Sequence, residues 1–157
     1  MALPFLCARH KQHVLCQPEQ AIILCQPEQA IILCQPEQAI IDIQNAQLSG
    51  EALFKRYQFA QALPYLGCAL ESASLLAQMY NCANKQQIIQ ITSLTERLYS
   101  TLHFLDEQSA AHNALIQSIN LLNEILHSDD EYHDLALSCI TQLKKLALQH
   151  PPHLTKH

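Results

Sequence analysis

Only two glycines, Gly50 and Gly67, occur in the 157 residues, and this scarcity bounds the fold more tightly than any other feature. Phosphate-cradling loops, dinucleotide fingerprints and tight β-hairpins need glycine wherever the backbone takes a positive φ or closely approaches a ligand. Two glycines cannot furnish a set of these, which argues against nucleotide enzymes of the familiar kinds. In glycine's stead stand 26 Leu and 19 Gln, with no Trp. Both residue types lose little rotamer freedom in a helix. The expected fold class is all-α, and the length suits one domain with a tail.

Charged residues make up 15% of the chain, against roughly 25% in an average domain. The formal net charge is −5. The nine Lys and Arg are thinly spread, with small groups at Arg9 and Lys11, Lys55-Arg56 and Lys144-Lys145. Nucleic-acid binders carry a basic stripe that displaces counterions from phosphates; none is present, so no nucleic-acid partner is expected. The apolar start, Met1 to Cys7, has no basic region ahead of it and makes a poor secretory signal. No apolar run approaches the ~20 residues that span a bilayer, so no membrane partner is expected. Seven cysteines, an odd count without a recognisable disulfide framework, suggest a reducing compartment. A cytoplasmic location is the expectation.

Four of the cysteines lie in the N-terminal quarter, three of them within a tandem repeat: CQPEQAIIL, CQPEQAIIL and CQPEQAIID over residues 16–42. In a helix, nine residues rotate by ~900°, so successive cysteines would face opposite sides. Pro18, Pro27 and Pro36 would interrupt a continuous helix every nine residues. The unit reads either as short helical turns, each started by Pro with Glu beside it, or as unstructured chain. Only the last copy leads into a long helical pattern. Residues 1–35 are therefore expected to form a flexible arm, 36–149 the folded domain, and 150–157 a flexible tail. Within the arm, Cys7, His10, His13 and Cys16 recur at every third residue. Two Cys and two His suit tetrahedral zinc chemically, but four ligands within ten residues need a tightly wrapped, glycine-free loop. They are weak candidates, and the expectation is no metal and no cofactor.

From Pro36 onward the apolar period is helical. The first span, about Pro36 to Tyr57, carries Ala39, Ile40, Ile43, Ala46, Leu53 and Phe54; the second, about Phe59 to Tyr80, is rich in Ala and Leu. A third runs from about Lys85 to Phe104 and a fourth from about Glu107 to His127. The fifth is expected to start at a capping box, Ser128-Asp-Asp-Glu131, and to stop before Pro151-Pro152. Short connections imply antiparallel neighbours.

The stretch from Gly50 to Leu70 resembles a tetratricopeptide repeat. It places a small residue (Gly50) in the first helix, an aromatic (Phe59) at the turn, then small Ala62, bulky Leu66 and small Ala69. The usual glycine between the helices is replaced by Tyr57, and the closing proline is missing after Leu70. The third and fourth spans resemble a degenerate second repeat through Leu98, Leu102, Ala111, Leu115 and Ser118, with Tyr99 where the family prefers a small residue. The resemblance implies helix-turn-helix hairpins stacked as a short solenoid: about two repeats, with the fifth span as a capping helix.

Such a fold implies a non-enzymatic scaffold or adaptor that binds a peptide or helix of a protein partner on a concave face lined by each repeat's first helix. Carried over by position, the lining residues are Gln44, Gln47, Glu51, Phe54 and Lys55, then Ser93, Glu96, Ser100, His103 and Phe104. The family's carboxylate clamp is absent, because Gln47 and Glu51 occupy places where it needs donors. The groove would be polar, mildly acidic and aromatic-edged, favouring basic and apolar partner residues. No catalytic residues are expected: His103, Asp106 and Glu107 would need a third, distant partner to make a metal or acid–base site. The alternatives are thiol or zinc binding by the N-terminal arm, or a homo-oligomer hiding apolar positions such as Ile116, Leu137 and Leu148.

Overall fold

The computed structural model describes residues 36–80, 84–128 and 131–149. All regular structure among them is α-helical: α1 (Pro36–Lys55), α2 (Phe59–Tyr80), α3 (Lys85–Phe104), α4 (Gln108–Ser128) and α5 (His133–Gln149). The chain divides into two compact units, Met1–Cys82 and Ala83–His157. In the first, α1 packs on α2; in the second, α3 packs on α4, α4 on α5, and α5 also on α3. The N-terminal arm and the C-terminal tail lie outside the described residues.

Both hairpins turn in the same way. After α1, the Tyr57 N–H donates to the Phe54 carbonyl at 2.9 Å and the Gln58 N–H to the Leu53 carbonyl at 3.0 Å. After α3, the Asp106 N–H donates to the His103 carbonyl at 3.1 Å and the Glu107 N–H to the Leu102 carbonyl at 2.8 Å. These paired bonds are a Schellman motif, which satisfies carbonyls left over at a helix end and needs a left-handed residue just past it. Tyr57 (φ 59°) and Asp106 (φ 61°) supply that conformation. The next helix then opens at once, for the Gln58 and Glu107 carbonyls accept the Ala62 and Ala111 N–H groups at 2.9 and 3.0 Å. Every one of these positions recurs 49 residues later (57 and 106, 58 and 107, 62 and 111).

A left-handed backbone costs a non-glycine residue about 1–2 kcal/mol, less for Asp, whose short side chain tolerates it. Tyr57 is 81% exposed, and its ring meets only the edge of Phe59, centroids 6.1 Å apart. Tyr57→Gly should therefore stabilise the first hairpin by about 0.5–1 kcal/mol, read as a higher urea midpoint. A lower midpoint would mean that the ring contact outweighs the backbone relief.

The same 49-residue spacing orders the core. Ala39 and Ile43 of α1 are buried, as are Ile88 and Thr92 of α3. Leu66 of α2 and Leu115 of α4 are both inaccessible, flanked by Ala62 and Ala69 in one hairpin and Ala111 and Ser118 in the other. Where Gly50 allows α2 to approach, a Cβ would stand 2.7 Å from Leu66 Cγ and Cδ2. Its counterpart Tyr99 is 2% exposed, packed against two histidine rings. Where the first hairpin has Ala46 and Ala69, the second has Thr95 and Ser118, whose hydroxyl oxygens lie 2.7 Å apart across α3 and α4. In α5 the buried residues Ala136, Cys139, Ile140 and Leu143 follow the spacing of Ile88, Ile91, Thr92 and Thr95. That pattern gives α5 the register of a third first helix.

The helix bounds match the sequence spans closely, with one correction at the start of α5. Ser128 does not open it: α4 runs through Ser128, whose hydroxyl donates to the Ile125 carbonyl at 3.2 Å. The opening position falls to Tyr132, whose carbonyl accepts the Ala136 N–H at 2.9 Å. Ser128 belongs to the last turn of α4, and α5 opens only at His133, too far along the chain for Ser128 to cap it. The box lies instead at α3, where the Asn84 side chain accepts the Gln87 N–H at 2.9 Å and the Gln87 side chain accepts the Asn84 N–H at 3.1 Å.

Residues 36–42, from the last nonamer copy, form the start of α1, which yields a further expectation. Deleting residues 34–42 brings the preceding Pro-Glu-Gln-Ala-Ile-Ile into register before Ile43 and replaces only Asp42, by Leu. The lost Gln38 Nε2 to Asp42 bond is exposed and worth well under about 1 kcal/mol. The melting temperature should stay within about 3 °C of the parent, whereas removing the nine residues 43–51, with buried Ile43 and Gly50, should abolish the transition. Equal losses in both deletions would contradict this reading.

Candidate functional site

The ten residues expected to line a partner face divide between two helices with identical spacing. Gln44, Gln47, Glu51, Phe54 and Lys55 lie along one side of α1, and Ser93, Glu96, Ser100, His103 and Phe104 lie along the equivalent side of α3. Steps of three, four, three and one residues keep all five on one side of a helix. The structure brings each set of five together within its own unit.

On α1, Gln44 and Lys55 are exposed, while Gln47, Glu51 and Phe54 are half-buried. The Phe54 ring meets Phe59 edge-on, centroids 5.2 Å apart, so it serves the packing of the turn. On α3, Ser93, Glu96, Ser100 and His103 are half-buried and Phe104 is 61% exposed. Ser93 Oγ donates to the Gln90 carbonyl at 3.2 Å. Glu96 accepts a hydrogen bond from Gln142 Nε2 of α5, which ties this side of α3 to the neighbouring helix. Gln47, Glu51, Phe54, Ser93, His103 and Phe104 each make further interactions within the chain. These faces are held in place, with carboxylates, amides and hydroxyls beside aromatic rings.

The α3 face ends in an aromatic group that sequence reasoning did not assemble. His103 stacks parallel to Tyr99, centroids 6.5 Å apart and planes 3° from parallel. His112 of α4 meets Tyr99 edge-on at 5.7 Å, and Phe104 meets His103 edge-on at 6.4 Å. Burial pushes the Tyr99 hydroxyl above the ordinary tyrosine pKa, because the phenolate would lose its hydration there. The signal available in the sequence was the Tyr99–His103 spacing of four, which puts two rings on one helical side.

Among the described residues, no three His, Cys, Asp or Glu side chains are placed to hold a metal ion. The candidates Cys7, His10, His13 and Cys16 lie outside the described residues. Cys68 and Cys139 are buried and pack as small apolar side chains. Ile116, Leu137 and Leu148 are 54%, 48% and 80% exposed. No described helix is long and apolar enough to cross a membrane. Compared with protein-family models, with curated proteins and with solved structures, the chain finds no match in any of the three.

Proposed function

We propose that the protein is a non-enzymatic interaction scaffold that receives a peptide or helix of a partner protein against the first helices of its hairpins. One observation supports this reading above the others: α1 and α3 present the same five-position face, 49 residues apart, each backed by an identically turned hairpin. Repetition of a surface on a repeated support is how helical repeat proteins build extended binding faces. On this reading the hairpins are degenerate tetratricopeptide repeats, with Tyr57 and Asp106 doing at the turns what glycine does in the family. Against α1 the partner presents Lys or Arg to Glu51; against α3 it presents Lys or Arg to Glu96 and apolar side chains to Phe104. The protein works without a cofactor, in the reducing environment of the cytoplasm.

A peptide library panned against the full chain tests the proposal. Enriched peptides should combine basic and apolar residues, and Glu51→Lys with Glu96→Lys should weaken them by about tenfold or more. No enrichment, or affinities that ignore both substitutions, would refute it.

A further inference from the structure

A second side of α1 is built for a different contact. Glu37, Ile41, Asn45, Leu48 and Ala52, with Arg56 just past the helix end, are all exposed. At 3.6 residues per turn they fall within an arc of about 100°, on the side opposite buried Ala39, Ile43 and Gly50. Ile41 is 50% exposed and Leu48 66%. In the second hairpin the middle of this side is covered: Gln90 and Arg97, the counterparts of Ile41 and Leu48, are half-buried. The counterparts of Asn45 and Ala52 are Leu94 and Thr101, and both are completely buried. In α5 the counterpart is Gln142, the residue that reaches across to Glu96 of α3. It is a helix-docking side, and in α1 it stands open.

We propose that a second copy of this chain covers it, with α1 packed antiparallel against α1 of the copy about a two-fold axis. The arc is self-complementary only in that arrangement. An axis passing between Ala46 and Gln47 sets Ile41 opposite Ala52 of the copy and Asn45 opposite Leu48. It also brings Glu37 to Arg56 of the copy, at both ends of the contact. The acidic start of each helix then meets the basic end of the other, as the helix dipoles also favour. A parallel pairing would set Glu37 on Glu37 and Arg56 on Arg56, with like charges opposed. A two-fold contact of this kind uses one patch twice and closes at the dimer. It does not rest on the peptide-binding reading, whose face lies on the neighbouring side of α1 and meets this one at Lys55.

Sedimentation equilibrium of the full chain from about 5 to 500 µM should show the mass rising from 17.7 kDa toward twice that value. Leu48→Glu should weaken association at least about tenfold, with the far-ultraviolet circular dichroism unchanged, since the site is exposed in the monomer. Arg56→Glu should weaken it several-fold, and adding Glu37→Arg in the same chain should restore it. The proposal is overturned by a monomer at every concentration. It is equally overturned by a dimer that ignores Leu48→Glu and responds instead to Leu148→Glu, or by a failure of the charge swap to restore association.

Discussion

Gly50→Leu should cost the first hairpin about 3 kcal/mol, net of the helix propensity that glycine forgoes. The cause is local. A Cβ at this position would lie 2.7 Å from both Cγ and Cδ2 of Leu66 and 3.3 Å from its backbone nitrogen. Leu66 is completely buried and has nowhere to retreat. The remaining leucine carbons would push α1 and α2 apart and open the small-residue crossing formed by Ala62 and Ala69. Gly50→Leu combined with Leu66→Ala should recover at least about 1 kcal/mol of the loss, since the two side chains compete for one volume. Urea denaturation, with hydrogen exchange to place the loss in α1 and α2, measures both. Tolerance of Gly50→Leu would mean that the helices do not cross where Gly50 and Leu66 meet.

The second large effect belongs to the other unit. Leu115 holds in α4 the place that Leu66 holds in α2, and it is 1% exposed. Leu115→Ala should cost about 2–5 kcal/mol, the loss of transfer energy plus the cavity left behind. Tyr99 of α3, the counterpart of Gly50, is held by His103 and His112 and cannot move without giving up both ring contacts. Exchange protection should fall across α3, α4 and α5. A loss below about 1 kcal/mol would mean that the second hairpin relaxes around the cavity instead of being locked by its rings.

Much of the fold was legible in the sequence, and the places where it was not have identifiable physics. The bounds of α2 and α3 are those read from periodicity, because a capping box at Asn84 and a dense apolar stripe leave little choice. All seven buried residues of α4 belong to the stripe that its spacing defines. In α3, periodicity found Ile88 to Leu102 but missed buried Thr92, Thr95 and Thr101. Threonine hydroxyls can be satisfied by the carbonyl four residues back, as Thr92 and Thr101 show at 2.8 Å, so a polar letter need not mean a solvated face. Over residues 66–73, α2 is buried on every side, Glu71 and Ser72 included, and an amphipathic template has no means of saying so.

The turns and the faces were harder to read. Left-handed φ is expected at glycine, and neither Tyr57 nor Asp106 announces it. Their shared role emerges only when the hydrogen bonds at 57 and 106 are set side by side. Position carried over from a repeat pattern sets five residues along one side of each first helix. It did not tell that Phe54 is engaged with Phe59 or Glu96 with Gln142. Ile41 and Leu48 passed unnoticed because single apolar residues on a helix surface are ordinary. They acquire meaning beside Asn45 and Ala52, whose counterparts Leu94 and Thr101 on α3 are buried.

Two hairpins of the same make turn at positions 49 residues apart. Backbone chemical shifts of the full chain, with nuclear Overhauser contacts, test that most directly. Helical shifts should fill each of α1, α2, α3 and α4, with a left-handed residue at Tyr57 between α1 and α2 and at Asp106 between α3 and α4. Contacts should join Gly50 to the Leu66 methyls in the first unit, and the Tyr99 ring to His112 in the second. Helical shifts continuing unbroken through either turn, or extended shifts inside any one of these four helices, would contradict it.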